Sequence, residues 1–429
     1  MGLRVAVVAG PDPGHAFPAV ALCVRLRAAG HAPVLFTGPR WLDRVGAEGL
    51  EAAELPGVVA AESDPDTDPG YRLHGRAARM APALAALFDR DRPDAVVADT
   101  LTVAGGLAAE LVGVPWLELV PHPLHLASVA LPPPGSGLAP GRTSLGRARD
   151  ALLRRLHARS VALGRRQRAQ ARSSIGLPAD GPGPAHRLVA TLWPLEPARP
   201  DWPPRTDVVG PLLWEPAQAD LPPPPGAGPL VLVSPSTAAS GRAGLLPTAL
   251  AAVHRLRAAG AADLRLAGTV LTVPAGPRNP AGFDDPAGPG GSTAADPPSA
   301  SAVPPSAGRD EPLPAWAVVG AGRQGPLLAE AAVVVAGGGH GMLAKALAAG
   351  VPLVLVPGAG DQRDLARRAA RLGAAVVVER PLTAERLARA IGRALVDPGL
   401  RAGARAVQRG AGPYADPVRL CETAANRAE

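Results

Sequence analysis

Residues 331–357 read AAVVVAGGGHGMLAKALAAGVPLVLVP, and this stretch decides the fold. A β-branched run from Val333 ends in the turn Gly337-Gly338-Gly339-His340-Gly341, an Ala- and Leu-rich segment of helical length follows, and Gly350-Val351-Pro352 opens a second apolar run to Pro357. Strand, glycine turn, helix and strand make a βαβ unit, whose two strands run parallel beneath the crossover helix. The pattern continues outward in both directions. In this half it reads Leu230 to Ser234, Leu264 to Ala267, Trp316 to Val319, Val333 to Ala336, Leu353 to Pro357 and Ala375 to Val378. In the first half it reads Leu3 to Ala9, Val34 to Thr37, Ala95 to Asp99, Trp116 to Val120, Leu188 to Thr191 and Val208 to Gly210. Two doubly wound α/β units with parallel sheets are expected.

The run Pro222-Pro223-Pro224-Pro225 lies within Pro211 to Pro229, a composition that gives a semi-rigid linker. The expected division is residues 1–215, a linker over 216–229, a second domain over 230–410, and a terminal helix over 411–429 packing back on the first domain. Residues 274–314, rich in Gly, Pro, Ser and Ala without a hydrophobic period, read as a disordered insertion between two strands that carries no chemistry.

Composition narrows the function. Hydrophobic residues make up 47% of the 429 and aromatics only 3%, so the cores must be built from Ala, Val and Leu, and aromatic stacking platforms for bases are missing. The net charge of +7 is modest for this length, and nearly all of it is Arg, with Lys345 the sole lysine, as GC-rich coding would give. This is weak evidence for nucleic acid, and no nucleic-acid partner is expected. Cys23 and Cys421 stand in no metal or redox spacing, which suits a reducing, cytoplasmic setting. The opening apolar run is too short for a signal peptide, and Leu111 to Leu131 is interrupted by Pro115, Glu118, Pro121 and Pro123, which argues against a membrane span. From Thr143 to Ser173, nine Arg stand against Asp150 alone, interleaved with Leu, which reads as a basic amphipathic helical pair. It faces either an anionic membrane surface or an acidic, lipophilic acceptor, or else packs its Leu face on the sheet and leaves its Arg solvated.

Individual motifs carry different weight. Gly320-Ala321-Gly322-Arg323-Gln324-Gly325 is a literal G-x-G-x-x-G after a strand, yet no acid ends the next strand to hold a ribose, so it reads as a glycine-rich turn. Asp64-Pro65-Asp66-Thr67-Asp68 mimics a calcium loop or a metal-binding D-x-D, but its prolines favour a solvated acidic turn. His122 and His125 lack a partnering acid at ligand spacing, so no metal site is expected. The turn from Gly337 to Gly341 is either a plain tight turn or a cradle in which backbone N–H groups and a helix end receive a diphosphate that His340 also contacts. Asp361-Gln362 falls at the carboxyl end of a strand, where ligands of open α/β sheets bind, and can grip the vicinal hydroxyls of a sugar. Gly14-His15-Ala16-Phe17-Pro18 follows the first strand, with His15 either structural or a base.

Taken in order, these residues resemble the nucleotide-sugar-dependent glycosyltransferases of the GT-B fold, specifically the UDP-glycosyltransferase and macrolide glycosyltransferase family. The resemblance spans nearly the whole chain apart from the insertion and is strongest from Gln324 to Gly373. It implies two Rossmann-like domains facing a cleft, acceptor domain first, donor domain second. It implies that His15 is the general base and Asp99 the carboxylate that orients it. It places Gln324 in the nucleoside-binding segment, Gly338, Gly339, His340 and Gly341 in the diphosphate turn, and Asp361 with Gln362 on the sugar. Ser236 and Thr237, after the strand Leu230 to Ser234, join the donor-binding set. The chain departs from the family pattern at Ala321 and Arg323, where a stacking aromatic and a proline are usual. It also departs at Gly337, usually His, and at Lys345, usually a ribose-holding Glu. The donor base is thus unassigned. Lys345 is expected to contact the donor's ribose or phosphate, or else to cover surface Ala and Leu with its stem.

The resulting expectation is inverting, metal-independent transfer of a sugar, without a cofactor, from a nucleotide-diphosphate sugar to a hydroxyl of a small or lipophilic acceptor. A protein that binds nucleotide sugars or anions without transfer, and another sugar-nucleotide reaction such as epimerisation, are the alternatives.

Overall fold

In the computed structural model, which describes residues 2–58, 68, 70–216, 218–237, 243–271, 312–358 and 360–426, each run of βαβ units closes into one parallel sheet. The first domain comprises β1 (Arg4–Val8), α1 (Pro13–Ala28), β2 (Ala32–Thr37), α2 (Leu42–Ala47), β3 (Glu51–Glu54), α3 (Arg76–Asp91), β4 (Ala95–Asp99), α4 (Ala104–Val112), β5 (Trp116–Val120), α5 (Ser144–Ser173), β6 (His186–Val189) and β7 (Thr206–Val208). The second comprises β8 (Leu230–Ser234), α6 (Leu245–Ala258), β9 (Arg265–Thr269), β10 (Ala317–Gly320), α7 (Gln324–Glu330), β11 (Ala331–Ala336), α8 (His340–Ala348), β12 (Leu353–Leu355), α9 (Asp361–Arg371), β13 (Ala375–Val377), α10 (Ala384–Val396) and α11 (Pro398–Arg409). A last helix, α12 (Pro417–Ala425), follows.

The strand orders are β3-β2-β1-β4-β5-β6-β7 and β10-β9-β8-β11-β12-β13. Every named pairing is parallel. Each order reverses direction once, between β1 and β4 and between β8 and β11, and ligands of doubly wound folds bind outside the strand ends at such a reversal. Helices cover both faces, so alternate residues of one strand enter different cores: Val5 and Val7 pack on one side of the first sheet, Ala6 and Val8 on the other. Leu230 and Leu232 part from Val231 and Val233 in the same way. Helix α12 buries Val418, Cys421 and Ala424 in the first domain's core, against α1. Cys23 lies in that core too; both thiols are unpaired, and burial pushes Cys421 up to about 12.

Several expectations need correction. β3 has the sequence Glu-Ala-Ala-Glu with exposed ends, an edge strand without the apolar signal that marks central strands. β6 and β7 begin and end about two residues earlier than their apolar runs suggest, because His186 pairs with Leu117 and Arg187 with Thr206. The basic helical pair is one continuous helix, α5, of 30 residues, opened by the Thr143 side chain accepting from the Gly146 N–H. Its Leu face does not pack on the sheet: Leu145, Leu152, Leu156 and Leu163 are all more than half exposed. The proposed insertion falls outside the described residues except for 312–314, as does the acidic stretch from Asp64 to Thr67.

Candidate active site

The turn after β1 delivers the first candidate. Asp12 precedes α1 and Pro13 occupies its first turn, which sets His15 on the opening turn of the helix beside the end of β4. Because β1 and β4 pair in register, Val8 with Ala98, Asp99 ends its strand next to that turn. His15 Nδ1 and Asp99 Oδ1 are 2.8 Å apart, with the carboxylate wholly buried and the imidazole 18% exposed. The other carboxylate oxygen, Oδ2, accepts from the Leu101 N–H at 3.0 Å and the Thr102 hydroxyl at 3.3 Å. An Nδ1–H donated to Asp99 leaves the Nε2 lone pair of a neutral His15 free to accept a proton. Burial works against the charged ring, but Asp99, Asp12 and Asp361 outweigh it, and the His15 pKa lies above the usual histidine value of 6.5.

The packing behind the dyad allows little variation. A Cβ on Gly105 would lie 2.9 Å from the Cβ atoms of both Ala98 and Val8, so only glycine lets α4 sit on these two strands. In front of the dyad lies a partly open cavity. His15 and Asp99 share its lining with Leu55, Leu73, Met80 and Leu101, while Arg72 and Arg76 add positive charge. An apolar chamber with a few convergent polar groups is the usual form of a small-molecule site.

The second candidate region lies across the cleft, at the reversal between β8 and β11. Gln324 opens α7, and its side-chain amide donates to Ser234 Oγ at 2.9 Å and Thr269 Oγ1 at 3.1 Å, which anchors it over β8 and β9. Gln362 is buried; its Oε1 accepts from the Gly358 N–H at 2.9 Å, and its amide reaches Ser236 Oγ at 3.4 Å. Ser236 and Gln362 are thus brought together, whereas Thr237 is exposed. Gly338 has φ +88, and a Cβ there would also crowd the Gln362 carbonyl at 3.2 Å. Gly339 lies close to Ser236, and Gly341 faces open space at the start of α8. Burial raises the Asp361 carboxyl above its usual range, while His15 pulls it the other way, so this acid and the imidazole sense each other across the cleft.

Two residues stand elsewhere than expected. The His340 imidazole turns into the domain interface, where Nε2 lies 2.9 Å from Thr191 Oγ1 and the ring also bonds the Pro121 carbonyl. Burial and the neighbouring His122 press its pKa to about 3, so it is a neutral interdomain contact rather than a charge aimed at a diphosphate. Lys345 is no surface lysine: its Nζ donates to Glu215 Oε1 at 2.7 Å and to Gln324 Oε1 at 3.0 Å, and its side chain is only 15% exposed. Glu215 Oε2 also accepts from the backbone N–H of Gln324, at 3.2 Å. The sequence reading missed Glu215 because it stands among linker prolines. The signal that could have found it was Lys345 itself, a buried cation where a carboxylate is usual and hence in need of an acid from elsewhere in the chain.

Around the base, His122 and His125 stack at 4.4 Å, and His122 stands edge-on to His15 at 6.3 Å. Burial holds His122 at about 4, with its bond to the Pro123 carbonyl acting the other way, and holds His125 at about 3, with His122 and Arg368 adding to the effect. The domains are also tied by Asp364 of α9, whose carboxylate accepts from the Gly135 N–H at 2.6 Å and from that of Gly137. Among the described residues, no group of three or more His, Cys, Asp or Glu is arranged to hold a metal ion, and no helix is long and apolar enough to cross a membrane.

Residues 318–422 match the family model of the erythromycin biosynthesis protein CIII-like C-terminal domain. The chain is 28% identical over 430 residues to 4'-demethylrebeccamycin synthase of Lentzea aerocolonigenes, covering 92% of each. The solved glycosyltransferase of kitacinnamycin has a TM-score of 0.66 at 24% identity, covering all of this chain and 97% of that one. The Streptomyces sp. SF2575 glycosyltransferase SsfS6, solved with thymidine diphosphate, has a TM-score of 0.60 at 19% identity, covering 98% of this chain and 99% of that one.

Proposed function

Since residues 318–422 match the erythromycin biosynthesis protein CIII-like C-terminal domain and the fold is that of GT-B glycosyltransferases, we propose that this chain is a macrolide-type glycosyltransferase that moves a sugar from a nucleoside diphosphate onto a hydroxyl of a small or lipophilic acceptor, with inversion and without a metal. The observation that carries this reading is the His15–Asp99 pair on the wall of a largely apolar cavity, with Asp361 of the second domain near enough to His15 to influence its charge. An acceptor hydroxyl seated there gives its proton to His15 Nε2 as its oxygen attacks the anomeric carbon. The bond between that carbon and the phosphate oxygen breaks in the same displacement, and a nucleoside diphosphate leaves with the electron pair. One displacement inverts the carbon. Asp99 keeps the imidazole in the productive tautomer and offsets the charge that forms on it.

On the donor side, the leaving diphosphate is received by backbone N–H groups of the glycine turn and the positive end of α8. Asp361 and Gln362 take the sugar hydroxyls, and Gln324, held by Lys345 and two hydroxyls, borders the nucleoside. The relative that synthesises 4'-demethylrebeccamycin and the structure solved with thymidine diphosphate support a natural-product acceptor and a nucleoside diphosphate donor.

The test is a thermal-shift panel of uridine, thymidine and guanosine diphosphates, because a ligand of the native state raises its apparent stability. The expected result is stabilisation by one or more of them, followed by glycosylation of a polyphenolic or polyketide acceptor with the matching sugar donor. Stabilisation without turnover across an acceptor panel would instead favour the non-catalytic binder. No stabilisation by any of them would overturn the donor assignment.

A further inference from the structure

Helix α5 carries an apolar row that lies exposed among the described residues. Leu145, Leu152, Leu156 and Leu163 are 82, 58, 57 and 56% exposed. Their spacings of seven, four and seven residues keep them within roughly 20° of one line along the helix, a row about 27 Å long. The helix is anchored elsewhere. Ala171 and Arg172 at its far end are buried, Arg172 pairs with Glu110, and Gln167 reaches Asp68. Four exposed leucines in one line are costly to leave in water, and an uncovered patch of this kind marks an interaction surface.

Charge selects the partner. Arg149, Arg155, Arg159 and Arg166 are exposed and fall within about 80° of the leucine row, on both of its sides. The helix has nine Arg, and its sole acid, Asp150, is buried and accepts from the Gly141 N–H and from Arg149. A second copy laid against this face would set arginine against arginine. A straight row at the 3.6-residue period also suits a flat surface better than the 3.5-residue seam of a coiled coil. Leucines entering an acyl layer with arginines spreading to phosphate level is the form of an interfacial helix.

We propose that the exposed leucine row of α5 and its flanking arginines seat this protein on an anionic lipid surface. The helix lies in the plane of that surface with Leu145, Leu152, Leu156 and Leu163 below the headgroups and the arginines among the lipid phosphates. Helix α5 packs on the turn Tyr71–Gly75, whose Arg72 and Leu73 line the cavity in front of His15, so the surface adjoins the acceptor side of the molecule. The seating is independent of the transfer reaction and is measured without it.

The experiment sediments the full chain with vesicles of phosphatidylcholine alone and of phosphatidylcholine with 30 mol% phosphatidylglycerol, a choice of about one anionic lipid in three that gives a strong surface potential. At low salt the wild type is expected to partition at least about ten-fold better onto the anionic vesicles, and to lose most of that preference at high salt. Leu152→Ser with Leu156→Ser should lower partitioning about ten-fold at unchanged melting temperature, since both side chains are already exposed. Arg155→Gln with Arg159→Gln should remove the preference for anionic over neutral vesicles. Equal partitioning of the wild type onto both vesicles, no partitioning at low salt, or unchanged binding by the leucine variant each overturns the proposal. So does mass photometry that shows a wild-type dimer dissociated by the leucine variant, which would assign the row to self-association.

Discussion

Replacing Asp99 by Asn keeps shape and volume but reverses the hydrogen-bond logic of the base. Asp99 Oδ2 faces two donors, and one of them, the Leu101 backbone N–H at 3.0 Å, cannot turn round. The single carbonyl oxygen of an Asn must therefore point to Leu101, which sends its NH₂ group toward His15 Nδ1, now 2.8 Å from the carboxylate. An NH₂ can only donate there, so Nδ1 becomes the acceptor and the ring proton moves to Nε2, the atom that has to take the acceptor's proton. The base is lost without the loss of a side chain. A positioned base contributes about 10²- to 10⁴-fold, so Asp99→Asn should cost that factor in kcat/KM, or about 2.7 to 5.4 kcal/mol of transition-state stabilisation. Donor-induced thermal stabilisation should be unchanged, because the residue lies across the cleft from the donor turn. The wild-type acid limb of kcat/KM should fall above the ordinary histidine value, since Asp99 holds the His15 pKa up. The assay is product formation by chromatography at saturating donor over a range of pH. If Asp99→Asn keeps kcat/KM within about three-fold of wild type while still folded, the dyad has no part in the chemistry.

Three further expectations follow from the site. Chelation with EDTA should leave transfer within about two-fold; a loss restored by magnesium or manganese would instead point to the acidic stretch from Asp64 to Asp68. Lys345→Ala and Glu215→Ala should each lower the melting temperature, and the double variant should cost less than their sum by about 1 to 3 kcal/mol, because the two groups are each other's main partner. Additive effects would show that they do not interact in solution. Acid should loosen the join between the domains: His122, His125 and His340 have folded pKa values of about 4, 3 and 3, below the 6.5 of an unfolded histidine. Their contribution is full above pH 6.5 and is lost as the pH falls toward those folded values, at up to about 1.4 kcal/mol per pH unit for each ring. His15, whose folded pKa is raised, works in the opposite sense, its contribution full below 6.5 and lost as the pH rises through its folded value. Melting temperature against pH, compared with His340→Asn, measures this; an acid limb identical in the two proteins would refute the role of His340.

Sequence alone was enough for the architecture, because central parallel strands are buried on both faces and so write themselves as unbroken Val, Leu and Ala runs between helix-length segments. β8, with Leu230 to Ser234, and β4, with Ala95 to Asp99, lie where their runs lie. The edge strand β3 left no such trace, since one side of an edge is water and Glu51 and Glu54 serve there as well as any apolar residue. His15 was legible from its place after the first strand, whereas Asp99 entered only through the family resemblance; the doubly wound order of the structure makes their two strand ends neighbours. Side-chain partners that depend on how two domains face each other were not legible. His340 reads as a diphosphate ligand from its turn, but Thr191, 149 residues earlier, takes its Nε2. Lys345 reads as a residue in search of an anion, and the anion is Glu215, 130 residues away on the linker. The exposure of the α5 leucines is of the same kind, because an amphipathic period states that a helix has an apolar face, whereas only tertiary packing decides whether the protein's own sheet covers it.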